Sequence, residues 1–115
     1  AWSESFQKLF GITPPNDTQG CLQDIHWSMG GIGYFSTYSL GNFNASQLFH
    51  SAKKDAGVAS ACEQADYAPL LQWMRNNIHQ KGATLLPQDL LKQVTGEGTN
   101  PQYHLEHLKR RFLSY

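Results

Sequence analysis

The length, composition and charge of the chain limit the kind of protein it can be. Its 115 residues, 40% of them hydrophobic and 16% charged, suffice for one globular domain with a modest core, or for part of one. Nine basic and nine acidic residues leave no net charge, so neither nucleic acid nor an anionic membrane is an expected partner. No apolar run approaches the roughly 20 residues that a membrane span needs.

The start of the chain and its two cysteines bear on the cellular compartment. Residues 1–4 lack the basic start and apolar stretch of a secretory signal. Cys21 and Cys62 are too few and too far apart in sequence for a disulfide framework. We expect two reduced thiols in a cytoplasmic protein, with a single disulfide as the alternative. Because the first residue is not Met, we also expect the chain to be a fragment of a longer protein.

Hydrophobic spacing predicts helices in the first half of the chain. Apolar residues at helical intervals indicate a helix over residues 2–10 that ends at Gly11. A turn containing two prolines follows. A second helix is predicted from Ser36 or Thr37 to about Ala56, where two lysines and a glycine favour its end.

The second half of the chain contains shorter predicted helices. Residues 58–67 are ambiguous, with a short helical turn as the expectation. Three further helices are predicted to begin at prolines: from residue 69 to a stop at Gly82, from residue 87 to a stop at Gly96, and from residue 101 to about 115. The last of them is expected to turn Leu105, Leu108 and Phe112 inward. The predicted fold is all-α, with four to five helices and one glycine-rich irregular segment, and residues 1–115 form a single region without an internal boundary.

The segment from Gly20 to Tyr38, GCLQDIHWSMGGIGYFSTY, concentrates the polar and aromatic side chains of the chain among glycines. Glycine allows tight turns and a close approach to a ligand. Asp24 lies two residues before His26 and could fix the tautomer of its ring. An imidazole and the phenols of Tyr34 and Tyr38 could donate hydrogen bonds to a carboxylate or an oxyanion. The alternative is an aromatic loop that plugs one end of a helical core.

Other chemical motifs give weaker indications. No His-Glu-x-x-His sequence occurs, and His104 and His107 share a helix face that is compatible with a weak zinc site. Solvated surface residues are the favoured interpretation of this pair. Neither cysteine has the surroundings of an activated thiolate, and the glycines of residues 30–33 lack the Lys and the preceding strand of a phosphate loop. Because nothing in the chain activates water, the segment is half of an active site.

Residues 20–27, Gly-Cys-Leu-Gln-Asp-Ile-His-Trp, fit the Gly-x-x-Gln-Asp-x-His-Trp motif of the carboxypeptidase Taq family of His-Glu-x-x-His zinc metallocarboxypeptidases. The chain also resembles this family on both sides of the motif. The resemblance covers nearly the whole chain, in the segments 9–17, 33–42, 45–49, 71–79 and 90–96.

The resemblance implies a carboxy-terminal fragment of a much longer, almost wholly helical enzyme. In the family a His-Glu-x-x-His helix and a downstream Glu hold zinc or cobalt, and both precede the motif. No metal ligand is therefore expected in this chain, which is expected to be inactive alone. The metal lowers the pKa of bound water and polarises the scissile carbonyl, and the Glu takes the proton.

The resemblance also assigns roles within the chain, which would line one wall of the substrate groove. Catalytic roles are implied for His26 with Tyr34 or Tyr38, which would hold the oxyanion or the terminal carboxylate of a peptide substrate. Substrate-binding or supporting roles are implied for Gln23, Asp24, Trp27 and Gly33. The chain departs from the family at Ser36, where Pro is typical, and at residues 42–44, so the rigidity of the wall is in doubt.

Two other functions are compatible with the residues. The chain could be a stand-alone helical module that binds a peptide end or another protein. A small independent hydrolase is less favoured, because nothing in the sequence activates water. As part of a larger enzyme, the chain is expected to have the rest of the parent polypeptide as its partner, and its exposed apolar surface favours self-association, including a homodimer.

Overall fold

The structure is a computed structural model, and it describes residues 1–113. All regular secondary structure in this range is helical, which confirms the all-α class, although the six α-helices exceed the predicted four to five. Three short 3₁₀ turns accompany them, at Cys21–Gln23, Tyr34–Ser36 and His79–Lys81. The α-helices are α1 (Trp2–Phe10), α2 (Thr37–Ala52), α3 (Ala56–Glu63), α4 (Ala68–Asn77), α5 (Pro87–Thr95) and α6 (Gln102–Phe112).

The chain divides into two compact units, one of residues 1–37 and one that begins at Tyr38. The first contains α1 and the glycine-rich segment, and the second contains α3 to α6 and nearly all of α2. That residues 1–115 form one region without an internal boundary stays a prediction. Among the described residues, no helix combines the length and hydropathy needed to cross a bilayer.

Helix α1 ends where the sequence predicts. Gly11 has a φ of 73°, and its N–H donates to the carbonyl of Gln7 at 2.9 Å. This left-handed conformation is readily adopted by glycine and commonly closes a helix. None of the residues of α1 is buried, and Leu9 and Phe10 are 74% and 64% exposed.

The predicted second helix ends earlier in the structure, and a further helix begins where it was expected to end. Helix α2 ends at Ala52, and α3 begins at Ala56 behind the N-cap Asp55. The Asp55 carboxylate accepts hydrogen bonds from the N–H groups of Gly57 and Val58, at 2.8 and 3.4 Å. An aspartate at this position satisfies the unpaired N–H donors of a first helical turn. Gly57 therefore lies in the first turn of α3 instead of ending α2. Residues 58–67, for which a short helical turn was expected, contain the last six residues of α3.

The core of the second unit is small and includes a polar side chain. Its buried apolar residues are Ala52, Val58 and Leu91, and Gln47 of α2 is fully buried beside them. The Gln47 amide donates to Thr95 Oγ1 at 2.8 Å and to the Gly98 carbonyl at 3.0 Å. Its oxygen accepts the N–H of Asn100 at 2.9 Å, so these partners lie in or beyond the last turn of α5. Gln47 thereby ties α2 to the segment that leads into α6.

Helix α6 differs from its prediction in burial. Leu105, Leu108 and Phe112 were expected to face inward, but they are 42%, 37% and 58% exposed. The described part of the chain does not cover this side of the helix. The predicted end of the helix near residue 115 lies outside the described residues.

Candidate functional site

The candidate site is the glycine-rich segment of the first unit. The segment leaves the preceding turn at Gly20, which is buried. A Cβ atom at this position would lie 3.1 Å from the Asn16 carbonyl oxygen, 3.2 Å from Pro14 Cβ and 3.3 Å from the Trp2 ring. Glycine is required here because three other groups approach the backbone closely.

Asp24 and His26 form the polar centre of the segment. The Asp24 carboxylate accepts the backbone N–H of His26 at 2.9 Å and lies 2.5 Å from the ring nitrogen Nδ1. His26 is only 9% exposed. The hydrogen bond from the His26 backbone, assisted by the ring, lowers the pKa of Asp24 although partial burial opposes this shift. The structure therefore brings Asp24 and His26 into contact, as their spacing of two residues suggested.

Aromatic rings enclose the His26 imidazole. The Tyr34 ring centroid lies 5.0 Å from it, and the Phe35 ring meets it edge-on at 5.7 Å. The loop that follows His26 is closed by the His26 carbonyl, which accepts the N–H of Gly31 at 2.8 Å. Gly33, with a φ of 77°, turns the chain into the 3₁₀ turn that begins at Tyr34.

The other predicted site residues differ in their contacts and in their exposure. Gln23 Nε2 donates to the carbonyl of Thr18 at 2.5 Å, so this side chain braces the preceding turn. Trp27 is 42% exposed. Tyr38 lies in the first turn of α2 and is 58% exposed. The structure thus brings Tyr34 to His26, whereas Tyr38 starts the second unit.

Ser36, where the resemblance implied a proline, forms a hydrogen bond within the turn. Its hydroxyl donates to the carbonyl of Gly33 at 2.9 Å, and the hydroxyl of Thr37 donates to the carbonyl of Tyr34 at 2.7 Å. These bonds tie the 3₁₀ turn to the start of α2.

The described residues offer no metal centre. Within residues 1–113, no three His, Cys, Asp or Glu side chains lie close enough together to hold a metal ion. His104 Nδ1 is 2.9 Å from Ser46 Oγ, and its ring packs against Phe43. His107 is exposed, as expected for a solvated residue, but His104 is not simply solvated. Cys21 and Cys62 are free thiols, which was the favoured interpretation.

The Asp24–His26 pair determines what the imidazole can do chemically. A carboxylate facing Nδ1 holds a proton on that nitrogen. The neutral ring then has an acceptor at Nε2, and the protonated ring has a second N–H donor there. The Asp24 carboxylate leaves Nε2 as the ring nitrogen that can contact a ligand. The geometry therefore suits a histidine that donates to an anion.

A family model described as the carboxypeptidase Taq (M32) metallopeptidase matches residues 1–112. The chain belongs to this family. It is 36% identical to thermostable carboxypeptidase 1 of Pyrococcus furiosus over 97% of its own length and 23% of that protein's length. It is also 36% identical to carboxypeptidase 1 of Bacillus subtilis, over 96% of its own length and 22% of that protein's length.

Solved structures of the carboxypeptidase Taq family have the same fold as this chain. Metallocarboxypeptidase 1 of Trypanosoma cruzi superposes with a TM-score of 0.88 at 38% identity, over 98% of this chain and 24% of that one. The Pyrococcus furiosus carboxypeptidase superposes with a TM-score of 0.86 at 36% identity. The chain spans less than a quarter of the length of these relatives.

Proposed function

We propose that this chain is part of a metal-dependent carboxypeptidase that removes C-terminal residues from peptides. The observation that carries this proposal is the match of residues 1–112 to a family of metallocarboxypeptidases. Relatives of much greater length carry the name carboxypeptidase. The contribution of this chain is one wall of the substrate groove.

His26 is the central residue of that wall. In its protonated form the ring donates from Nε2 to the oxyanion of the reaction or to the terminal carboxylate of the peptide. The contact of the Asp24 carboxylate with Nδ1 supports this role, because it fixes the orientation of the buried ring. The hydroxyl of Tyr34 or of Tyr38 supplies a second donor. Asp24 positions His26, and Gln23, Trp27 and Gly33 maintain the shape of the segment or contact the substrate.

The catalytic metal, zinc or cobalt, does not fit the residues of this chain. Within residues 1–113 there is no set of three ligands. We therefore assign the metal ligands to the rest of the parent polypeptide, and expect the chain to be inactive alone. We propose a cytoplasmic location for the parent, and its self-association as a homodimer stays a prediction.

Substitution of His26 tests the proposal in a chimera in which residues 1–112 replace the matching segment of Bacillus subtilis carboxypeptidase 1. We expect the chimera to release C-terminal residues from a short peptide. His26→Ala should lower kcat by about 10²–10³-fold, the usual effect of losing one oxyanion donor. Circular dichroism should show unchanged helix content.

His79→Ala is the matched control, because His79 is an exposed histidine in the 3₁₀ turn after α4. It should leave kcat within about twofold of the parent chimera. Near-normal turnover in His26→Ala would remove the assigned role. A correctly folded chimera without any peptidase activity would count against the proposed function as a whole.

A further inference from the structure

A groove lies between α2 and α6 in the second unit. It encloses about 500 Å³ and is open to solvent on one side. Ala45 and Phe49 of α2 form part of its lining, and Tyr103 and Arg110 of α6 lie on the other wall. A volume of this size is typical of sites for small ligands or short peptide segments. None of these groove residues was predicted as a site residue from the sequence.

The charges in the groove are unequal. Lys53 and Arg110 line it, and within residues 1–113 neither of them forms a salt bridge. Glu106 is the acidic residue in the lining. Two cations and one carboxylate leave an excess positive charge, and His50 and His107 add further donors.

The aromatic side chains of the groove are already engaged. Lys53 Nζ lies 4.8 Å above the Phe49 ring, and the rings of His50 and Tyr103 pack at 4.7 Å. The Tyr103 hydroxyl donates to Glu97 at 2.6 Å. These contacts fix the rings, so they form an apolar surface and are poorly suited to stack a nucleotide base.

The groove is also held in shape by contacts between its two helices. Ser46 Oγ of α2 forms a hydrogen bond of 2.9 Å with His104 Nδ1 of α6. The buried amide of Gln47 holds the segment just before α6. Binding to a site that is already formed costs less conformational entropy than binding to a site that must first become ordered.

We propose that this groove binds a short acidic peptide segment, with carboxylates on Lys53 and Arg110 and an apolar side chain on Ala45 and Phe49. Arginine and lysine bind carboxylates through charge-assisted hydrogen bonds. Glu106 can accept a peptide N–H. This inference does not depend on the proposed peptidase function.

The test is a titration of the ¹⁵N-labelled 115-residue chain with acetyl-Leu-Glu-Leu-Glu-amide, followed by amide chemical shifts. Saturable shifts should appear in α2 and α6. The peptide acetyl-Leu-Gln-Leu-Gln-amide should bind at least about tenfold more weakly, because it cannot form the two ion pairs. Equal affinity for the two peptides, or no saturable binding, would overturn the proposal.

Two double variants separate the groove from the general charge of the chain. Lys53→Gln with Arg110→Gln should weaken binding of the acidic peptide about tenfold. Lys54→Gln with Arg111→Gln removes the same charge from adjacent positions outside the groove lining, and should change the Kd by less than about twofold. Equal weakening by both pairs, or tighter binding of tripolyphosphate than of the peptide, would exclude a peptide site.

Discussion

Asp24 sets the properties of His26 through two contacts of one carboxylate. It accepts the backbone N–H and faces the ring nitrogen Nδ1, so the residue is fixed at both the backbone and the side chain. His26 is also among the few buried residues of the chain. A buried imidazole with an adjacent carboxylate keeps a defined orientation and proton position, which a surface histidine would not.

Asp24→Asn should make the stability of the protein less dependent on acid pH. The pKa of Asp24 is lower in the folded protein, so its ionised form stabilises the fold above about pH 4. This stabilisation is lost as the pH falls through the folded pKa. Urea unfolding should therefore show a lower free energy of unfolding for Asp24→Asn at pH 7, with a difference that shrinks towards pH 2.

Asp17→Asn provides the control, because Asp17 is an exposed aspartate of the same unit. Its effect should be small and nearly the same at both pH values. A difference between wild type and Asp24→Asn that stays constant from pH 7 to pH 2 would contradict the linkage to the Asp24 carboxylate.

At the scale of elements, most helix ends could be predicted from the sequence, because their signals are local. Gly11 and Gly96 end helices, and Pro69 and Pro87 lie in first turns, as expected. The end of α2 was predicted about four residues too late, because two lysines followed by a glycine also fit the end of a helix. The side chain of Asp55 decides between the alternatives, since it binds the N–H groups that follow it.

The candidate site was only partly predictable, because only some of its contacts follow from the local sequence. The contact between Asp24 and His26 follows from a spacing of two residues. The approach of Tyr34 to His26 depends on the positive φ angles of Gly30 and Gly33, and no side-chain pattern specifies these. The burial of Gln47 was not predictable, because its partners lie about 50 residues away in sequence.

Gln47→Ala should destabilise the second unit by about 2–3 kcal/mol. The substitution leaves a cavity and removes the partners of buried groups, including the N–H of Asn100. Urea unfolding followed by circular dichroism measures the loss. Gln93→Ala, at an exposed position of α5, should change the stability by less than about 0.5 kcal/mol. Similar effects of the two substitutions would mean that the Gln47 network contributes little.

At the scale of the whole molecule, the chain has little core for its hydrophobic content. Three apolar residues are buried in the described part, whereas large apolar side chains of α1, the glycine-rich segment and α6 are exposed. Apolar surface of this extent usually contacts other protein. This agrees with a chain that spans less than a quarter of the length of its relatives.

The isolated chain should self-associate, because association would cover these apolar surfaces. Sedimentation velocity at increasing concentration should show a rising mean sedimentation coefficient. Leu105→Gln with Leu108→Gln should raise the Kd of association at least about tenfold, since each leucine contributes roughly 1 kcal/mol when covered. Lys92→Gln with Gln93→Ala, on exposed parts of α5, should leave it nearly unchanged. A monomer at all concentrations would contradict the prediction.

The free thiols give the chain a practical property. Cys21 belongs to the first compact unit and Cys62 to the second, and both are partly accessible. Each unit therefore carries one native attachment point for a maleimide dye or a nitroxide. A doubly labelled sample would report the spacing of the two units by energy transfer or electron spin resonance without any engineered cysteine. The same sample could follow that spacing while a partner polypeptide is added.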